Sequence, residues 1–110
     1  MNGTKQRLVE QLELYYRSCG WSVERAADGT VRASGPGGVT WIGLAVTADD
    51  LVREGFDESL IALSEERMPR GELCPFELLP AEECAQELRA RLTRLQLDAR
   101  GHVAVYSLAA

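Results

Sequence analysis

A chain of 110 residues, 45% hydrophobic and 26% charged, is the length of one compact domain with a modest core. Its net charge of −5 argues against nucleic acid as a partner, since phosphate binders draw affinity from a basic field. The longest apolar run, Val39 to Val46, falls well short of the ~20 residues of a membrane span, and "MNGTKQRLVEQ" lacks the apolar core of a secretory signal, so a cytoplasmic location is expected.

Residues 5–19 have helical periodicity, with Leu8, Leu12, Tyr15, Tyr16 and Cys19 on one stripe and Gly20 placed to close the helix. Three strands follow, "WSVER", "TVRAS" and "VTWIGLAV", separated by the turn compositions "AADG" and "GPGG". For the first hairpin, a two-residue loop would set Arg25 against Arg32. A loop of Ala27-Asp28-Gly29 instead pairs Val23 with Ala33 and Glu24 with Arg32, and charge selects it. For the second hairpin, Pro36-Gly37 suits a type II turn, which sets Ser34 against Val39, Arg32 against Trp41 and Val31 against Ile42. The inner face is then Val23, Val31, Ala33, Ile42, Leu44 and Val46, and the outer face gathers Glu24, Arg32 and Trp41 beside Gly43 and Ala45.

"TADD" resembles a capping box, Thr47 with Asp50, opening a helix that runs to about Met68. Gly55 should kink or split it, Asp57 could cap the second half, and Val52, Phe56, Leu60 and Leu63 form its apolar stripe. Residues 72–79 make a short fourth strand, which Pro75 would confine to an edge or bulge. Pro80 suits a first helical turn, Cys84, Leu88, Leu92 and Leu95 line the helix that follows, and "HVAVYSL" reads as a final strand. The expected fold is α+β: a mainly antiparallel sheet of four to five strands with helices packed on one face, in the order α-β-β-β-α-(β)-α-β, over a single domain 1–110. The first half is similar in layout to small secretion chaperones, but it shares no motif with them and the last strand departs from their pattern.

Chemistry-bearing motifs are sparse. Cys19, Cys74, Cys84 and His102 lack the paired spacing of a zinc site, and there is no Cys-x-x-Cys, so neither metal nor cofactor is expected. Cys19 and Cys84 lie on helix stripes and behave as small apolar groups. The Cys-Pro of "LCPF" resembles the Cys-Pro-x-Pro of sulfur carriers, but the fourth residue here is Glu77. Any Cys–His pair must use His102, the only histidine. "GPGG" joins two strands with no Lys after it, so it is a turn and not a phosphate loop. The acidic pairs Asp49-Asp50, Glu65-Glu66 and Glu82-Glu83 each have members about 100° apart on a helix and read as solvated faces.

What remains is Trp41 with Arg32 and Glu24 on an outer sheet face, a composition common at interface centres. The expectation is therefore a small acidic protein–protein interaction module of bacterial type, since eleven Arg stand against the single Lys5. Its class would be accessory, immunity or chaperone-like adaptor, without catalysis, with a protein partner or a second copy docking at Trp41, Arg32 and Glu24. The alternative is a small enzyme or ligand binder using Cys74, Cys84 or His102.

Overall fold

A computed structural model describes residues 3–107. Helix α1, Gly3–Ser18, buries Leu8, Val9, Leu12 and Tyr16, residues that recur at helical spacing on one face. Tyr15 and Cys19, expected on that stripe, are exposed. Gly20 follows with φ 83°, the left-handed conformation that ends many helices.

Strands β1, Ser22–Arg25, and β2, Thr30–Ser34, pair as charge selected: Val23 with Ala33 and Glu24 with Arg32. The next turn departs from expectation. Gly35 donates its N–H to Val39 C=O at 2.9 Å around Pro36-Gly37-Gly38, and Gly37 and Gly38 both take positive φ. Strand β3, Thr40–Val46, is thereby shifted by one residue, so Ala33 pairs with Trp41 and Arg32 with Ile42. A shift of one turns each side chain to the opposite face. Val23, Val31, Ala33, Trp41, Gly43 and Ala45 now share one face, while Glu24, Arg32, Ile42, Leu44 and Val46 share the other.

The Thr47–Asp50 capping box is present, with Asp50 accepting the Thr47 N–H at 2.8 Å. It opens only the short α2, Ala48–Leu51; Gly55, at φ 85°, separates this from α3, Phe56–Ser64. Gly55 precedes α3 in the capping position expected of Asp57, and Val52 projects into solvent instead of joining the apolar stripe. Strand β4, Phe76–Pro80, is buried at all five positions and lies between β3 and β5, Val103–Val105, parallel to both. It is not the edge strand that Pro75 suggested. Pro75 precedes the strand and accepts the Ile42 N–H at 2.9 Å, and Pro80 lies past the last β5 pairing, Leu78 with Val105, where a ladder donor is no longer needed. A 3-10 turn at Glu82–Cys84 leads into α4, Ala85–Arg94, which buries Leu88 and Leu92.

The α+β class and five-stranded sheet are as expected, with strands in the order β1-β2-β3-β4-β5. The sheet is mixed: two antiparallel pairings are followed by two parallel ones. Parallel neighbours require crossovers, and α3 and α4 supply them. The helices divide between the faces instead of sharing one. Helix α1 lies against Gly43, where a Cβ would meet Tyr16 and Leu12, whereas α3 and α4 cover the face of Ile42, Leu44, Phe76 and Leu78.

Candidate functional site

One helix cannot cover five strands. Helix α1 packs mainly against β1, β2 and β3, which leaves the β4–β5 half of its face partly open. Strand alternation puts Glu77, Leu79 and Tyr106 there, because Glu77 and Leu79 are the register partners of Gly43 and Ala45. Gln11, Leu12 and Tyr15 on α1 form the opposite wall of a pocket of about 340 Å³, and Ser107 completes its rim. Tyr15 and Tyr106 are 54% and 46% exposed.

Glu77 forms the floor. It is only 3% exposed and accepts a 2.6 Å hydrogen bond from the Tyr16 hydroxyl. Gly43 makes that bond sterically possible, since a Cβ there would lie 2.8 Å from the same hydroxyl. Burial, then the hydrogen bond to Glu77 and its charge, push the Tyr16 phenol far above the ordinary tyrosine value. Hydrogen bonding toward Glu77, followed by burial, pushes Tyr106 up to about 12. Both phenols are therefore neutral donors at pH 7. Among the described residues, Glu77 forms no ion pair.

On the other side of Tyr15 lies an aromatic notch of about 50 Å³ formed with Tyr16, Cys19, Trp21 and Trp41. The two indoles meet edge to face, with centroids 5.3 Å apart and planes at 87°. Trp41 is thus half-buried under the end of α1 and does not lie open beside Arg32. Arg32 is on the opposite face, bonded to Glu66, and Glu24 is its exposed cross-strand neighbour. The expected trio does not share one surface.

Cys74 and His102 lie at one end of the β4–β5 pair, where the Phe76 N–H bonds the His102 carbonyl, and Cys84 lies at the other. Cys74 precedes β4 and Cys84 follows it, so the strand's length lies between them. Both thiols are buried, and burial raises both pKa values, with Glu66 adding to the rise at Cys74 and Glu83 at Cys84. The Cys84 sulfur faces the carbonyls of Ala81 and Val46, and His102 Nε2 lies 2.6 Å from the Ser64 carbonyl. Among the described residues, no group of three or more His, Cys, Asp or Glu side chains is placed to hold a metal.

Sequence reasoning missed Glu77 and Tyr16. The available signal was "FELLP", an acidic residue inside an otherwise apolar strand; once that strand is central, its one carboxylate has to be buried. No family model, curated protein or solved structure matches the chain.

Proposed function

We propose that the protein is a non-catalytic protein-binding module, an adaptor of the accessory, immunity or chaperone-like kind, whose partner docks on the open β4–β5 half of the α1 face. One observation carries the reading: two half-exposed tyrosines, Tyr15 and Tyr106, flank an apolar pocket on an otherwise covered sheet face. Large aromatics that keep an apolar body and a polar tip at the surface are favoured interface anchors. The net charge of −5 favours a protein partner over nucleic acid, and the arginine bias supports a bacterial source. Among the described residues, no helix is long and apolar enough to cross a membrane. The alternative, chemistry at Cys74, Cys84 or His102, is less favoured because both thiols are buried and His102 Nε2 is engaged by the Ser64 carbonyl at 2.6 Å.

The test is a peptide-display selection on the immobilised protein. Selected peptides should bind Tyr15→Ala and Tyr106→Ala about 30-fold less tightly, corresponding to ~2 kcal/mol for loss of an aromatic anchor. Arg32→Ala should leave them unchanged. Peptides indifferent to both tyrosines but sensitive to Arg32 would move the docking surface to the opposite face.

A further inference from the structure

We infer that the pocket takes a cationic side chain, a lysine ammonium or arginine guanidinium carried by the partner, with its charge against Glu77 and its aliphatic stem between Tyr15 and Leu79. The inference rests on the docking reading above and adds the chemistry that is recognised.

The contrast between two buried carboxylates carries it. Asp50, 6% exposed, has its cation supplied by this chain: Lys5 Nζ lies 2.7 Å away. Glu77 is buried more deeply at 3% and faces only the neutral phenols of Tyr16 and Tyr106, with no cation among the described residues. A carboxylate out of water is normally paired with a cation. The pocket above it also suits a cation on an apolar stem. Leu12 and Leu79 offer aliphatic surface, while the rings of Tyr15 and Tyr106 can face a cation, as aromatic walls do in ammonium-binding cages. A neutral apolar side chain would fill the walls but leave Glu77 with the two phenols alone. An anionic one would be repelled, and the chain's overall charge of −5 steers in the same direction.

The experiment is a set of amide NMR titrations of the full chain. The probes are N-acetyl-lysine methylamide, its norleucine and Nε-acetyl-lysine counterparts, and free butylammonium. The lysine probe should shift the amides of Glu77, Leu79 and Tyr106 and bind at least 10-fold more tightly than either neutral counterpart. Glu77→Gln should close that gap. The neutral probes on unaltered protein keep the test decisive should this variant fail to fold. Equal binding of norleucine and lysine would overturn the cationic reading and leave docking intact. No shift at the pocket with any probe would overturn the cationic reading, and pocket-insensitive peptides in the display selection would separately overturn docking. Butylammonium binding more tightly than the lysine probe would replace the protein side chain by a free amine. Self-association dissolved by the lysine probe would replace the separate partner by a second copy.

Discussion

Gly43 holds the space in which Tyr16 reaches Glu77. A Cβ on Gly43 would stand 2.8 Å from the Tyr16 hydroxyl, 3.0 Å from its ring and 3.2 Å from Leu12, while that hydroxyl bonds the register partner of Gly43 on the next strand. The residue that permits the buried carboxylate's bond is therefore one with no side chain. Gly43→Ala should force α1 outward or turn Tyr16 away. The expected cost is about 1–3 kcal/mol, the usual range for overpacking, with loss of the Tyr16–Glu77 bond. Denaturant melts and the Tyr16 ring resonances measure both, and a variant as stable as the original would show that α1 yields freely.

Tyr16→Phe removes the donor and leaves Glu77 buried. It should cost about 1–3 kcal/mol at pH 7, the penalty for an unsatisfied buried acceptor. Alkaline pH probes the same contact. Tyr16 ionises in the folded state only well above the ordinary value of 10.0, whereas the unfolded chain gives up that proton near pH 10. Above this pH the unfolded state binds fewer protons than the folded one, so the contribution is complete below pH 10 and is lost as pH rises further. Tyr106, at about 12, acts with the same sign, as do the raised thiols of Cys74 and Cys84, beginning nearer 9.0. Urea midpoints from pH 7 upward should fall more steeply in the parent than in Tyr16→Phe. Parallel curves would mean that Tyr16 titrates normally.

Trp41→Ser should destabilise by ~2 kcal/mol or more, because the indole packs edge-on against Trp21 and joins the core margin. The register read from the sequence placed this residue outside the core, where the same change would cost under ~1 kcal/mol. A thermal melt of the single variant decides between the two.

The three cysteines should separate cleanly toward iodoacetamide. Cys19 is exposed and should be alkylated in the native protein; Cys74 and Cys84, buried with thiols held protonated, should react only after unfolding. Mass spectrometry of a timed reaction would find one adduct before urea and three after. Rapid native labelling of Cys74 or Cys84 would reopen thiol chemistry as a function.

The first hairpin was legible because a wrong register would have opposed Arg25 and Arg32, a penalty visible in the letters. The second was not. Two consecutive glycines allow several turns, and only the folded chain shows that Gly37 and Gly38 both adopt positive φ. That single step moved Trp41 from an open face to a position under α1 and removed the expected Trp41–Arg32–Glu24 site. The break at Gly55 could be read directly from a glycine in a helical pattern. The centrality of β4 could not, because Pro75 and Pro80 count against a central strand until the ladder shows both outside its working bonds. With β4 misplaced, Glu77 passed for an ordinary strand residue.

The strict left-to-right order of the strands bears on how the chain leaves the ribosome. Each strand docks beside the one synthesised just before it, so the sheet can be laid down in the sequence in which it is translated. The arrangement exposes one weak moment. Until residues 103–105 emerge, β4 stands at the growing margin with Phe76, Leu78 and Leu79 in its run and one side of its backbone unpaired. Between translation of β4 and arrival of β5, the nascent chain presents its stickiest surface, and that interval is when a cellular holdase would have the most to grip.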